Sequence, residues 1–337
     1  MSAVVAAHQA DRHLGSALAS LAGQTLDDLE VIVVDDGSAD RTSEVAREAA
    51  RADPRFRLVR LGRNRGQAAA LNAGMDLARG RYLAILDADD EATPGRLEVQ
   101  VSAFDRDPRL VLVGGAIVTW CDRHSVEGRV WRYATDDAGV RARTLFKSEV
   151  ISGAITFDRE CMARRGVRFD EGLRLGVDWA LSAAAMRVGR VENVEPVVMR
   201  YRIHPGQMTV EMLDDLTSDS TRIRREVLAW AGVEPSDDEM RTHLAVSPCN
   251  YWPFGSHPFF RERGEAIRGD AERWLARLLE GAGRAGRIPL HALRAHADEI
   301  IGEIDRALRE PAGAADLAAR NCPVATPRAC VAEEGCR

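Results

Sequence analysis

Lysine is almost missing from this chain of 337 residues: Lys147 is the single lysine, and arginine supplies the other cationic side chains. We attribute this bias to genomic base composition. The 46 lysine and arginine residues face 52 aspartate and glutamate residues, which gives a formal net charge of -6 and a pI near 5.8. Such a composition argues against a strongly basic surface, and we therefore expect no nucleic-acid partner.

Long apolar runs and paired cysteines are missing as well. The longest apolar run, residues 111–118, is far shorter than the roughly 18–20 residues that cross a bilayer, so we expect no transmembrane segment. The first residues, MSAVVAAH, lack the basic region and apolar core of a signal peptide. Six cysteines without a CxxC pair indicate a reducing compartment. We expect a cytoplasmic protein and leave a membrane-peripheral location open.

Strand-like and helical segments alternate through the first part of the chain. Amphipathic stretches such as residues 11–22, with Leu14, Leu18 and Leu21 at helical spacing, predict helices. Between them lie short, continuous apolar runs typical of strands that are buried on both faces. These runs cover residues 3–7, 29–35, 56–61, 82–86, 111–118 and 151–157. The alternation predicts an α/β fold with a mixed, mainly parallel sheet flanked by helices.

The strand pattern stops near residue 212. Ser236 and Glu239 are spaced as a capping box, which predicts a helix through residue 246. Apolar residues at helical spacing between 267 and 278, and again between 290 and 308, predict two more helices. We therefore divide the chain into residues 1–118, 119–212, a helical extension at 213–310, and an Ala/Pro-rich tail at 311–337 that we expect to be disordered.

Aspartates follow two of the predicted strands. Asp87 and Asp89 alternate at the end of one strand, so both carboxylates can face one cation, and hard oxygen ligands suit Mg²⁺ or Mn²⁺ bound together with a diphosphate. Asp36 ends a second strand, beside Gly37, where it could accept a hydrogen bond from a nucleobase. The alternatives are an acidic turn that caps the next helix and an Asx-turn at Asp36.

A third candidate segment is NRGQAAALNAG at residues 64–74. Gly66 opens a predicted helix of small residues, and small side chains let a helix lie close to a sheet near a ligand. Considered alone, the segment indicates packing of the helix against the sheet.

Together these residues resemble the GT-A glycosyltransferases of family 2, which are inverting enzymes that use nucleotide-diphospho-sugars. The resemblance spans residues 1–212, and its motifs occur in the order expected for the family. They are VVDDGSADRT at 33–42, NRGQAAALNAG at 64–74, LDADD at 86–90, RRGVRFDEGLRLGVDWAL at 164–181 and YRIHPGQMT at 201–209. The resemblance implies a GT-A fold, with a nucleotide-sugar-binding half at 1–118 and an acceptor-binding half at 119–212.

The resemblance also implies a role for individual residues. Asp178 would be the general base, and Asp89 would be the principal metal ligand beside Asp87 and His204, which implies Mg²⁺ or Mn²⁺ as cofactor. For Asp178 the alternative is a helix N-cap, and for His204 it is a buried histidine bonded to the backbone. The implied nucleotide-binding residues are Ala6, His8, Asp36, Asn64, Gly66, Asn72, Asp87 and Ala88.

Two departures from the family pattern matter. The first strand ends in VAAHQ at residues 5–9, where the family has Pro-x-Tyr-Asn, so the identity of the nucleotide stays open. Val177 stands where the family has glutamate before Asp178. Losing a neighbouring carboxylate lowers the pKa of Asp178, whereas burial beside apolar side chains raises it, so the sequence leaves the net direction open.

We therefore predict a metal-assisted inverting glycosyltransferase that moves a sugar from a nucleotide-diphospho-sugar, with a UDP-sugar as the first expectation, to a hydroxyl of a glycan, lipid-linked, small-molecule or peptide acceptor. One alternative is a sugar-phosphate nucleotidyltransferase, although residues 8–14 (HQADRHL) lack the glycine-rich phosphate loop that such enzymes need. The other is a non-catalytic nucleotide-sugar-binding or protein-binding module of the same fold.

Overall fold

The computed structural model describes residues 1–121, 126–204, 206–207, 213–247 and 257–309, and all structural statements concern these residues. They contain nine strands, twelve α-helices and one short 3₁₀ helix, Ser152–Ala154. The strands are β1 Ser2–Ala7, β2 Glu30–Asp35, β3 Phe56–Arg60, β4 Tyr82–Ile85, β5 Glu91–Ala92, β6 Leu110–Cys121, β7 Val126–Trp131, β8 Thr156–Asp158 and β9 Arg190–Ile203. The helices are α1 Leu14–Ala22, α2 Thr42–Ala52, α3 Gln67–Leu77, α4 Arg96–Arg106, α5 Asp137–Thr144, α6 Arg159–Arg164, α7 Val177–Ala185, α8 Leu213–Trp230, α9 Asp237–Val246, α10 Pro258–Arg263, α11 Ala266–Ala285 and α12 Leu290–Arg309.

All nine strands belong to one mixed sheet in the order β3-β2-β1-β4-β8-β6-β9-β5, with β7 beside β6. Strands β3, β2, β1 and β4 are parallel, as the βα alternation predicts. Strand β8 then runs antiparallel to both of its neighbours. In register, Ala7 lies opposite Asp35, so β1 and β2 end at the same edge of the sheet. The acidic segments that follow β2 and β4 therefore meet at that edge, where α/β sheets bind ligands.

The two faces of β1 explain the layering. Val4 and Val5 are both fully buried, yet they belong to different apolar clusters because neighbouring side chains of a strand point to opposite faces. Val4 packs with residues of α3, and Val5 packs with residues of α1. The predicted arrangement, a sheet with helices on both faces, is confirmed.

One predicted strand is partly wrong. Residues 151–157 do not form a continuous strand: a 3₁₀ turn occupies Ser152–Ala154, and only Thr156–Asp158 pairs in the sheet. A Cβ atom on Gly153 would lie 2.7 Å from the Met199 sulfur and 3.1 Å from an Asp87 carboxylate oxygen. The chain therefore turns at a glycine where it passes the acidic edge, and strand β7 is a further element that the sequence pattern did not predict.

The helical extension follows the sequence pattern closely. The capping box of Ser236 and Glu239 is present at the start of α9, and buried apolar stripes line α11 and α12. The division proposed at residue 118 falls within β6, which ties the two halves into one sheet. Residues 311–337, the expected disordered tail, lie outside the described residues. No helix in the described part of the chain is long and apolar enough to cross a membrane.

Close packing of α3 on β1 can be tested at Gly74. A Cβ atom there would overlap the Val4 side chain, whereas a Cβ on Gly302, in the exposed middle of α12, would meet nothing within 4 Å. Gly74→Ala should destabilise the fold by about 1–2 kcal/mol, since overpacking outweighs the better helix propensity of alanine. Gly302→Ala makes the same change without the overlap and should stabilise by about 0.5–1 kcal/mol. Urea unfolding measures both, and stabilisation by Gly74→Ala would contradict the packing.

Candidate active site

The end of β2 is held by Asp35. Its carboxylate is fully buried, accepts the Ser38 N–H at 2.9 Å and accepts the Ser43 hydroxyl. Burial acts to raise the pKa of Asp35, but these hydrogen bonds and the nearby Arg60 together hold it below its ordinary value. Asp35 is therefore a structural anchor of the turn after β2.

Asp36 joins β2 to the loop before α3. Its two carboxylate oxygens accept the N–H groups of Arg65 and Gly66, each at 2.8 Å. The turn needs glycine at residue 37, where φ is +74° and a Cβ would meet the backbone of the same loop, and Gly66 itself has a φ of +91°. Asp36 is buried, and because a carboxylate oxygen can accept more than one hydrogen bond, a ligand N–H reaching it could still be bound.

His8 and Asn64 form the rim of this corner. His8 Nε2 and Asn64 Nδ2 are 3.0 Å apart, and Asn64 Oδ1 accepts the Gly66 N–H at 2.9 Å. Both side chains are exposed. Half-buried Ala6 lies on β1, shortly before His8 in the chain. The structure thus brings together Ala6, His8, Asp36, Asn64 and Gly66 from three separate segments.

Asn72 is not brought to this corner. It is buried, its amide group donates to the Phe169 carbonyl and to the Glu171 carboxylate, each at 3.0 Å, and its oxygen accepts the Phe169 N–H. These contacts give Asn72 a different task from the expected nucleotide contact. It fastens α3 to the loop that leads to Asp178.

Asp87 lies two residues after β4 and is half-buried. Its Oδ1 accepts Gln67 Nε2 and the Ser152 hydroxyl, both at 3.1 Å, and the Gly153 N–H also donates to its carboxylate. Burial, followed by the negative charge of Asp89, raises the pKa of Asp87 to about 7. Ala88, between Asp87 and Asp89, is buried, and its small side chain lets the turn lie close to the sheet.

Asp89 and His204 meet at the opening of the same site. Asp89 Oδ2 lies 3.0 Å from His204 Nε2, and the two side chains are 34% and 15% exposed. Within the described residues no three His, Cys, Asp or Glu side chains converge as a complete metal site. Mg²⁺ and Mn²⁺ sites can instead combine one or two carboxylates with substrate phosphates. The accessible oxygens of Asp87 and Asp89 fit such an ion.

Behind them, a buried acid and a buried cation support the site. Asp90 Oδ1 accepts the Arg202 N–H at 2.8 Å, while Oδ2 is a buried oxygen with no hydrogen bond from a described residue. Burial and the charge of Asp89 raise the pKa of Asp90 well above its ordinary value. The Arg96 guanidinium is 1% exposed, and burial lowers its pKa to about 10. This cation moderates the negative potential of the acidic edge.

Asp178 stands at the start of α7, after Gly176 in a left-handed conformation with φ of +72°. It accepts the backbone N–H groups of Trp179 and Ser152, and Ser148 Oγ lies 3.5 Å from its Oδ2. Burial raises the pKa of Asp178 to about 6, so the effect of burial prevails over these donors. From the sequence alone, the direction in which the pKa of Asp178 is shifted was open.

Ser152 links the two sides of the site. Its backbone N–H donates to Asp178, its hydroxyl donates to Asp87, and the negative charge of Asp178 acts on Asp87. Two carboxylates about 90 residues apart in the chain are thus joined through one residue. Sequence reasoning missed Ser152 and Gln67. The Ser-Gly pair that interrupts the apolar run at 150–157 was the available signal for Ser152.

Comparisons with known proteins identify the family of this chain. Residues 2–163 match the model of the family Glycosyl transferase family 2. The succinoglycan biosynthesis protein ExoO of Rhizobium meliloti is 36% identical over 239 residues, which are 67% of this chain and 68% of that protein. The succinoglycan biosynthesis protein ExoU of the same organism is 34% identical over 170 residues, covering 48% of this chain and 49% of its own.

Among solved structures, residues 1–349 of S. aureus TarS in complex with UDP-GlcNAc share the fold with a TM-score of 0.55 at 16% identity, covering 92% of this chain and 91% of that one. The predicted GT-A fold is confirmed. The chain belongs to glycosyl transferase family 2. It is a glycosyltransferase that uses a nucleotide sugar, and a sugar-phosphate nucleotidyltransferase is not favoured.

Arg96 offers a test of the electrostatic design. Its guanidinium donates to the carbonyls of Ile85, Gly153 and Ile155. Arg96→Met keeps much of the volume but leaves these buried acceptors unpaired beside the aspartates, and should destabilise the fold by about 3–5 kcal/mol. The control Arg81→Met removes a side chain that is 64% exposed in its ion pair, and should cost under about 1 kcal/mol. Equal losses in chemical unfolding would refute this account.

Proposed function

We propose that this protein transfers a sugar from a UDP-sugar to an acceptor hydroxyl with inversion at the anomeric carbon, assisted by a divalent cation and with Asp178 as the general base. The observation that carries the proposal is the position of Asp178. Its carboxylate is joined to that of Asp87 through Ser152, acts on it electrostatically, and has a pKa raised to about 6. A carboxylate with a raised pKa is a stronger base and is still ionised at neutral pH.

The donor nucleotide would bind where β1, β2 and the loop before α3 meet. Asp36 would accept the N–H of the uracil ring, with Ala6, His8, Asn64 and Gly66 around the base, and Asp87 and Ala88 would lie by the ribose. Support for uridine comes from the neighbouring fold of S. aureus TarS, which was solved in complex with UDP and with UDP-GlcNAc. The remaining acceptor capacity of the Asp36 carboxylate is consistent with this ligand.

The diphosphate and its cation would lie beside Asp89, Asp87 and His204. The carboxylate oxygens of Asp89 and Asp87 suit Mg²⁺ or Mn²⁺, and the His204 imidazole would add one nitrogen beside them. When bound, such an ion would balance the negative charge that grows on the departing nucleoside diphosphate. Tyr201 and Gln207 brace His204 from behind, because Gln207 donates to the Tyr201 hydroxyl and accepts the His204 N–H.

The chemical step follows from these positions. The acceptor hydroxyl oxygen attacks the anomeric carbon from the face opposite the diphosphate, and its proton passes to the Asp178 carboxylate. The bond from the anomeric carbon to the leaving oxygen breaks as the new bond forms, so one displacement inverts the configuration. The Ser152 and Trp179 N–H groups hold the Asp178 carboxylate in place for this transfer.

For the acceptor we propose a glycan hydroxyl. Two relatives, ExoO and ExoU, carry names from succinoglycan biosynthesis, which is the assembly of a polysaccharide. We also propose the cytoplasm as the compartment, since the cysteine pattern predicts no disulfide framework.

Replacing Asp178 tests the general base. Asp178→Asn should lower the rate of UDP release from UDP-GlcNAc, with water as acceptor, by roughly 10²–10⁴, while UDP binding persists. In the unmodified protein the rate should fall as the pH drops through about 6, since a protonated carboxyl cannot accept a proton. Asp298→Asn, on the exposed side of α12, is the matched control. Full turnover in Asp178→Asn would reject the assignment.

A thermal-shift panel tests nucleotide and cation. UDP should raise the melting temperature more than GDP or dTDP, and Mn²⁺ should enlarge the shift, because a ligand that binds only the folded state stabilises it according to its affinity. At about 100 times its dissociation constant, UDP would add about 2.7 kcal/mol. Asp89→Asn should keep the shift by UDP alone and lose the Mn²⁺ increment. An unchanged increment in that variant would contradict the proposed cation site.

A further inference from the structure

The helical extension contacts the segment Thr144 to Ser148, which we call the base-support segment because it lies against the helix that carries Asp178. We propose that the extension helps to position the general base of the active site. Trp274 and His243 are positioning residues for Asp178, and they act through the base-support segment. The inference rests on the general-base role proposed above for Asp178, and it gives the extension a task beyond packing.

A hydrogen-bond chain links the extension to this segment. Trp274 Nε1 donates to His243 Nδ1 at 3.1 Å, and His243 Nε2 lies 3.0 Å from the Leu145 carbonyl oxygen. All of these groups are buried. An indole N–H can only donate, so His243 Nδ1 is the acceptor and the ring proton is on Nε2, from which it is donated to Leu145. The hydrogen bonds therefore run in one direction, from Trp274 to Leu145, and His243 has one tautomer.

The imidazole in this chain stays neutral. Burial, together with the charge of Arg224, lowers the pKa of His243 to about 3. A protonated His243 could not accept the Trp274 N–H, and its charge would lie in the apolar core. The two hydrogen bonds of His243 therefore stay the same over the whole pH range in which Asp178 titrates. They hold the Leu145 carbonyl in place throughout that range.

The base-support segment passes this constraint to α7. The Thr144 carbonyl accepts the Trp179 indole N–H at 2.9 Å, and Ser148 Oγ approaches Asp178 at 3.5 Å. Between them, the Phe146 ring packs 4.8 Å from the His243 ring and 5.0 Å from the His296 ring of α12. Each end of the segment thus touches Asp178 or its neighbour, while its middle is clamped by the extension.

A second contact reaches α7 directly. The guanidinium of Arg224, on α8, lies 4.6 Å from the centre of the Trp179 ring. The helix α7 has only nine residues and does not share the hydrogen bonds of the sheet. Asp36 and Asp87, by contrast, follow sheet strands. The position of Asp178 relative to the donor site therefore depends on the Ser152 N–H, on the base-support segment and on the extension.

The test uses the full chain and Trp274→Phe, which removes the indole N–H but keeps an aromatic ring. We expect kcat for UDP release from UDP-GlcNAc with Mn²⁺ to fall on the order of tenfold, since small displacements of a catalytic group have effects of this size. The KM for UDP-GlcNAc and the thermal shift by UDP should not change, because the nucleotide site lies on the strands.

Two changes at His243 separate hydrogen bonding from packing. His243→Gln can accept from Trp274 through Oε1 and donate to Leu145 through Nε2, and should retain most of kcat. His243→Met fills the space without either bond and should lose kcat as Trp274→Phe does. The matched control Trp230→Phe makes the same chemical change elsewhere in the extension, where the ring lies against Arg141 and Arg187, and should leave kcat unchanged.

Amide hydrogen exchange gives a readout that needs no turnover. In Trp274→Phe, peptides covering residues 144–148 and 177–182 should exchange faster than in the unmodified protein, while peptides covering 31–36 and 83–86 should not. Three results would each overturn the inference. Trp274→Phe could be less stable yet keep the wild-type kcat, it could lose kcat and UDP binding together, or its exchange at 177–182 could be unchanged. If His243→Met fails to fold, the kcat values of Trp274→Phe and His243→Gln still test the inference. Full turnover in Asp178→Asn would instead refute the proposed general base and leave the exchange result standing.

Discussion

The whole site depends on holding several carboxylates close together and partly shielded from water. Asp87, Asp90 and Asp178 all have pKa values raised by burial, and their mutual repulsion adds to this cost. The fold offsets it with fixed donors, the backbone N–H groups at residues 152 and 153, and with the positive charge of the buried Arg96 guanidinium. Such donors are already oriented in the folded chain, so they need not reorganise when charge moves during sugar transfer.

Sheet topology makes this concentration of charge possible. Parallel strands β1, β2 and β4 end at one edge, and the antiparallel strand β8 returns beside β4, which sets the Ser152–Ala154 turn next to Asp87. The proposed nucleotide-binding residues Asp36 and Asp87 follow sheet strands, whereas Asp178 is carried by a short helix outside the sheet. The proposed donor site is thus supported by the sheet, and the proposed general base by a helix that the extension contacts.

Much of this arrangement could be predicted from the sequence, for identifiable reasons. Continuous apolar runs revealed the buried strands, and the aspartates after β2 and β4 marked the ligand edge because parallel strands share one end. The capping box at Ser236 was found because its spacing is local. Prediction did less well for the Ser-Gly turn within residues 151–157 and for Asn72, since their hydrogen-bond partners lie far away in the chain.

The sequence by itself determined the first four strands and the helices between them, the family and the residue types at the site, because periodicity, caps and motif spacing are properties of neighbouring residues. Only the tertiary structure decided which polar groups meet: that Ser152 bridges Asp87 and Asp178, that Asn72 holds a loop, and that the pKa of Asp178 is raised. Burial and hydrogen bonding depend on every segment packed around a group. Their balance exists only once distant parts of the chain have come together.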